Sequence, residues 1–328
     1  MWFVQRSSNR LASAAAGHYA PPMSATPPPS QHQPSGIPAA LGAYLIWGFL
    51  PLYLLLVRDV PPFEFVGWRI IWTLPICLVI VFARRQIADL MSAIASPKVL
   101  LTLLLSATLI AINWFVYIWA IMENHVYAAS LGYYLNPLIN VLLGTLLLGE
   151  RLSKLQWVAV AIAASAVGIL LAGAVTTLWI SLTLAFSFGL YGMVRKQVSV
   201  GSLPGLTIES AILLLPAAGI AWWYAVSPQG PSFGGDLMLS AFIIMGGVVT
   251  AVPLLLFAVA ARRMDYSTLG FFQYLAPTIV FVLGLTVFAE PLKPIQLASF
   301  VLIWIAVALF VGDMWVRTRK ARGASATA

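Results

Sequence analysis

Apolar residues in this chain run in ten blocks of about 20, at 37–57, 64–83, 99–121, 127–149, 155–173, 175–194, 204–225, 238–260, 267–289 and 294–316. A helix that crosses a bilayer needs roughly 20 apolar residues, so each block predicts one transmembrane span. Polar or Gly/Pro-marked punctuation separates them, as in "RDVPPFE", "MENHV", "ERLSK" and "SPQGPSFGGD". The division at 173/175 has the least punctuation, only Gly173 and the following "AVTT".

Composition supports the same class. The chain is 61% hydrophobic and 9% charged, whereas a water-soluble domain carries about 25% charged residues to solvate its surface. A lipid-facing surface is the alternative, and this is an integral membrane protein. The net charge of +8 does not point to nucleic acid, because the basic residues stand singly or in pairs between apolar runs without a stacking platform.

The basic residues instead orient the spans. Counting alternate loops puts fifteen Lys and Arg on one side and two, Arg58 and Lys293, on the other. Arg69 falls inside the second span, which completes the 18. By the positive-inside rule both termini are cytoplasmic. The single Cys77 lies within an apolar block, so no internal disulfide is available and packing is its expected role. Residues 1–36 hold no acid, many Pro, Ser and Ala, and no continuous apolar core of a signal peptide. They read as a disordered cytoplasmic tail, with Met23 as an alternative start and a transit peptide as the weaker option. Residues 317–328 form a second, basic tail.

The blocks also repeat. "SLGYYLNPLINVLLGTLLLGE" (130–150) is echoed by "TLGFFQYLAPTIVFVLGLTVFAE" (268–290). From Pro137 the offset is 140: Pro137 meets Pro277, Gly144 meets Gly284, Glu150 meets Glu290 and Gln156 meets Gln296. Upstream the offset is 138, so the second copy holds two extra residues. The chain therefore divides into two repeats of five spans, 37–173 and 175–316. Five is odd, so equivalent spans cross the membrane in opposite directions. The expected fold is all-α, with ten transmembrane helices in two inverted five-helix repeats. Inverted repeats are characteristic of secondary transporters whose substrate site lies between the halves, although some channels share them.

The strings "GAYLIWGFLPLY", "NWFVYIWAI", "ASLGYYLNPLINVLLGTLLLGERL", "AFSFGLYGMVRK" and "STLGFFQYLAPTIVFVLG" resemble the RarD branch of the drug/metabolite transporter superfamily, whose members carry two EamA-type repeats. The resemblance covers about residues 37–316. It implies a bacterial inner-membrane permease that exports a small organic solute, such as a metabolite, an amino-acid-like compound or a drug such as chloramphenicol, the compound for which the group is labelled. Direction of transport comes from the resemblance alone.

Several polar residues inside the spans are candidates for the solute path. Pro137 and Pro277 each free a backbone carbonyl, of Tyr133 and Gln273, and bend a helix that either shapes packing or lines a cavity. Tyr133, Asn136 and Asn140, spaced 0, 3 and 7, share one helix face. That face points inward, for interhelical hydrogen bonds or for substrate recognition. The corresponding positions Gln273, Ala276 and Val280 are less polar, so the first repeat is expected to supply recognition and the second an apolar wall. Arg69 and Glu209 are the ionisable residues well inside spans, at nearly equivalent places in the two repeats. Arg69 either holds an anionic group or snorkels, and Glu209 either carries protons or binds a helix end. Asn113, Trp114 and Tyr117 in the third span, with Trp47, Tyr133 and Tyr134, are candidate walls. Glu150 and Glu290, at one repeat position, are expected to bond a neighbouring helix or loop.

These features favour a secondary transporter working by alternating access on a proton or solute gradient. There is no Gly-Lys pair and hence no phosphate-cradling loop for ATP. An enzyme is disfavoured because the His residues are scattered at 18, 32 and 125 and the loop acids Asp59, Glu123 and Asp236 are isolated. A passive channel or scramblase is the other reading. No cofactor or metal is called for. The expected partners are membrane lipid and a small-molecule substrate, with no nucleic acid. A homodimer is compatible with the residues but not derivable from them.

Overall fold

A computed structural model describes residues 35–123, 125–171, 175–289 and 294–326. The described residues contain helices and short connections and no strand. The helices are α1 (Ile37–Leu54, ending in a 3₁₀ turn Leu55–Val57), α2 (Pro62–Ala83), α3 (Ile87–Ile94), α4 (Pro97–Met122), α5 (Val126–Leu146) and α6 (Lys154–Leu171). The second half holds α7 (Leu178–Gln197), α8 (Ser202–Ala225), α9 (Leu237–Arg263), α10 (Tyr266–Gln273), α11 (Leu275–Thr286) and α12 (Pro294–Ala326). Apart from Ser35 and Gly36, the tail expected over 1–36 lies outside the described residues, as does Glu290.

Among the described residues nine helical segments are long and apolar enough to cross a membrane. The tenth expected span, α5, is as long but is diluted by Tyr133, Tyr134, Asn136, Pro137 and Asn140. Large apolar side chains face outward, Leu215 being 82% exposed and Trp223 73%. Such a surface is stable only against lipid.

Three boundaries differ from expectation. The short helix α3 sits in what reads as a connection, with Leu90 and Ala93 buried and Ile87, Met91 and Ile94 exposed. Eight residues are too few to span, but apolar positions at i, i+3, i+4 and i+7 suit a helix lying in the interface. The ninth span, expected as one bent helix, is two, α10 and α11, parted at Tyr274. The two extra residues of the second copy fall here, so Pro277 occupies the first turn of α11, where a missing N–H costs least. Pro137, by contrast, lies inside a continuous α5. Finally, α12 continues to Ala326, past the expected end at 316.

The halves interleave. Three of the major packed pairs join repeat equivalents, α2 on α8, α5 on α10 and α6 on α12. The remaining major pairs exchange into one another when the halves are swapped: α4·α7 with α1·α9, α5·α7 with α1·α11, and α2·α9 with α4·α8. A pseudo-twofold relation between the halves is thus built into the packing itself.

One pair of contacts shows it at atomic scale. A Cβ at Gly48 would lie 2.7 Å from Ile279 Cδ1, and a Cβ at Gly189 would lie 2.8 Å from Ile139 Cγ2. Ile139 and Ile279 are 140 residues apart, each two residues beyond its repeat's proline. Each glycine lets the proline-bearing helix of the other half approach closely, as small residues do in membrane bundles. Gly48→Val and Gly189→Val are each expected to cost about 1–3 kcal/mol by overpacking. Pairing Gly189→Val with Ile139→Ala should regain most of that loss, as melting midpoints in detergent would show.

Candidate functional site

Between α2, α4, α7, α8 and α9 lies a narrow pocket whose lining includes Thr73, Trp114, Tyr191, Glu209, Ser210 and Thr250. Its walls are otherwise aliphatic, from Ile70, Ile110, Leu206, Leu213 and Leu254. An apolar chamber with a few polar groups is the usual form of a small-molecule site.

One end of the cavity carries a buried ion pair. Glu209 is 2% exposed and Arg195 1%, with Nη1 3.6 Å from Glu209 Oε1. Ser106 Oγ on α4 donates to the same carboxylate oxygen, and Arg195 Nη2 donates to Ser202 O at 2.7 Å. Glu209 Oε2 and Arg195 Nε and Nη1 find no hydrogen-bond partner among the described residues. A Cβ at Gly205 would collide with Arg195 Nη1, so only glycine leaves room for the guanidinium there. Sequence reasoning found Glu209 but placed Arg195 in a loop, because the sixth span was expected to end at 194. Helix α7 runs to Gln197 and carries Arg195 inside.

Trp114, about two turns along α4 from Ser106, carries Arg69. Its guanidinium carbon lies 4.4 Å from the centroid of the Trp114 ring, and the phenols of Tyr133, Tyr117 and Tyr53 are within electrostatic reach. The Tyr117 and Tyr133 rings are 5.7 Å apart, while Tyr53 is anchored by donating to Phe242 O at 2.7 Å. Arg69 Nε is buried without a hydrogen-bond acceptor among the described residues. Glu64, a second acid at the start of α2, is fully buried but faces elsewhere. It accepts from Ser232 N and Oγ, both at 2.7 Å, and from Trp68 Nε1 at 3.1 Å. It was read from the sequence only as the first residue of a span.

The expected polar face of α5 divides. Asn136 and Asn140 are buried, whereas Tyr133 is 41% exposed and belongs to the Arg69 cluster. Asn140 Nδ2 donates to Gln273 Oε1 at 3.0 Å, joining the two halves. Val280 stands at the Asn140 position of the other repeat and Gln273 is one of the two extra residues of the second copy, so the bond exists on one side of the pseudo-axis only. Asn136 Oδ1 and Asn140 Oδ1 have no hydrogen-bond partner among the described residues. Asn113 Nδ2 is occupied by Leu184 O at 2.9 Å and Ser187 Oγ at 3.1 Å, bonds between α4 and α7. Trp47 packs on Tyr44, Phe188 and Phe257 rather than beside Trp114, and Tyr134 packs on Phe300. Trp47 and Phe188 hold nearly equivalent repeat positions and touch each other at 5.7 Å.

On the face that carries the basic loops, Glu150 reaches from the first half to the start of α10. Its carboxylate accepts from Tyr266 N at 2.5 Å, Ser267 N at 2.8 Å and Ser267 Oγ at 2.7 Å. Nearby, Lys196 Nζ donates to Ala261 O and Met264 O at 3.0 and 2.6 Å, and Arg262 Nη1 to Val198 O and Val200 O. Among the described residues no three His, Cys, Asp or Glu side chains are grouped to hold a metal ion.

Known proteins share this chain's sequence and fold. Residues 34–172 match the EamA-like transporter family. The "Protein RarD" of Escherichia coli strain K12 is 40% identical over 294 residues, covering 87% of this chain and 96% of that protein. An "Uncharacterized transporter" of Vibrio cholerae serotype O1 is 39% identical over 286 residues, covering 87% and 95%. A solved crystal structure 19% identical aligns over 84% of this chain and 96% of its own, with a TM-score of 0.65, which speaks for the fold alone.

Proposed function

The chain belongs to the EamA-like transporter family, among the RarD-type permeases, and from that premise we propose that it is a secondary carrier moving a small organic solute by alternating access. The observation that carries this reading is the narrow pocket where helices of both halves meet, lined by Glu209 of the buried ion pair and by Trp114, on whose ring Arg69 lies. Since the halves are related by exchange, swapping their conformations would open the cavity to one face and then the other. The family is one of transporters.

The same reading assigns the basic-loop face to the cytoplasm of a bacterial inner membrane, with both termini inside. Partners are then lipid and solute. Glu209 is the residue suited to couple transport to protons, since it is an acid facing the cavity with one oxygen unengaged.

Metabolite profiling of cells with and without the protein identifies a solute, and reconstitution in proteoliposomes tests it. Accumulation against its gradient, collapsed by a protonophore, is the expected result. Equilibration without accumulation would replace the carrier with a pore. Glu209→Gln is expected to flatten the pH profile of uptake; an unchanged profile would leave Glu209 a structural role.

A further inference from the structure

The charges around the cavity do not balance. Arg195 and Glu209 neutralise each other at one end, and Ser106 donates to the carboxylate oxygen that faces Arg195. Arg69, on the Trp114 ring, has no acid within ion-pair distance among the described residues, where the ion pairs are Arg58–Asp59, Arg195–Glu209 and Arg317–Asp313. Glu64 is on the same helix but five residues away, about 140° around the axis at 100° per residue. Its oxygens are already taken by Ser232 and Trp68. What surrounds the guanidinium is aromatic: the Trp114 face and the phenols of Tyr53, Tyr117 and Tyr133. Aromatic faces attract the cation but do not cancel it.

A lone positive charge two turns into a membrane span is costly, and such residues stand opposite a partner or mark a solute path. Here the described residues supply no acidic partner. The Trp114 ring on which Arg69 lies also lines the pocket, so a solute that enters it meets the ring that carries the guanidinium. We infer that the solute taken up by this site is an organic monoanion, its anionic group paired with Arg69 between Trp114, Tyr117 and Tyr133 and its body lying along the apolar wall toward Glu209. This rests on the carrier reading and adds the charge of what is carried. A cation would face Arg69 with no free acid to receive it, because Glu209 is already paired. A zwitterion would bring a second charge to a site with one vacancy. The planar guanidinium is suited to a carboxylate, which it binds with two parallel hydrogen bonds. The rings on either side are suited to an unsaturated or aromatic body.

The test uses the purified full-length protein and calorimetric titration with two ring-matched series: benzoate, benzylamine and benzamide, then indole-3-acetate, tryptamine and indole-3-acetamide. The expected result is that the carboxylate of at least one series binds about tenfold or more tightly than its amine and amide. Arg69→Gln removes that preference, and Arg69→Lys, which keeps the charge without the fork, restores part of it. Size-exclusion profiles confirm that each variant is folded, and if Arg69→Gln does not fold, the Arg69→Lys comparison carries the test: it should weaken the carboxylate and not the amide. Equal binding within both series, preference for an amine, no binding by either carboxylate, or competition by chloride as strong as by carboxylate would each overturn the inference. Transport is read separately. Anion preference without movement in proteoliposomes keeps the site and loses the carrier, whereas gradient-driven uptake of a cation keeps the carrier and loses this assignment.

Discussion

Arg195→Met is expected to destabilise the protein severely, while the double variant Arg195→Met/Glu209→Leu regains most of the loss. Removing one member of a buried ion pair leaves the other uncompensated, which costs about 3–5 kcal/mol. Replacing both by apolar groups of similar volume is often neutral or better, because the desolvation of both charges is avoided. The geometry here favours a large effect. Both groups are almost fully buried, and the guanidinium fills a space that only Gly205 opens. The single variant strands Glu209 beside an apolar thioether, with Ser106 as its remaining donor. Melting midpoints in detergent measure both variants. A single variant as stable as the parent would mean that the pair does not hold the fold together.

The same double variant separates stability from coupling. If Glu209 couples solute to protons, the doubly apolar protein should be folded yet unable to accumulate solute. If the pair only braces α7 against α8, the double variant should transport normally. Stability and accumulation move together in the second case and part company in the first.

How much of this was legible beforehand depends on what each feature needs. Spans need only length and apolarity, and the repeat needs only an offset, so both could be read directly. The helix α5 is instructive, since its asparagines and tyrosines dilute it, and its place among the spans is supported by its match to α10 and α11. The division at Tyr274 was hidden because two inserted residues shift the backbone without disturbing the apolar pattern. Arg195 was hidden for a different reason. A basic residue at the end of an apolar block reads as a loop charge, and only the packing of α8 through Gly205 shows that it turns inward. Tyr133 illustrates the limit of helix-face arguments. Its backbone shares a face with Asn136 and Asn140, yet its long side chain joins the aromatic group around Arg69. The likeness of Arg69 and Glu209, visible as equivalent positions, conceals that one has a counter-ion and the other does not. That difference depends on the neighbouring helices, which no local pattern contains.

Glu150→Ala is expected to loosen closure of the basic-loop face. The first N–H groups of a helix have no partner within it, and Asp265, at the cap position of α10, makes no side-chain capping bond. Glu150 supplies the acceptors from the other half, and its negative charge suits a helix N-terminus. The carboxylate therefore ties the two repeats together on one face, where rocking of the halves would have to part them. Each orphaned buried donor costs about 1–3 kcal/mol, so losing the two backbone bonds should shift the open population at this face about tenfold or more. Gly144 offers an independent route to the same outcome. A Cβ there would lie 2.5 Å from Glu150 Oε2 and 2.6 Å from Ser267 Oγ, so Gly144→Ala should evict the carboxylate without removing it. The measurement is thiol labelling of Ser210→Cys, a cavity-lining position, by a membrane-impermeant reagent presented from the basic-loop face. The native Cys77 is 0% exposed and stays silent. Both variants should label faster than the parent from that face, with Glu150→Gln between them and the parent because an amide oxygen can still accept one bond. Labelling unchanged in Glu150→Ala and Gly144→Ala would reduce this contact to local helix capping with no hold on the opening of the cavity.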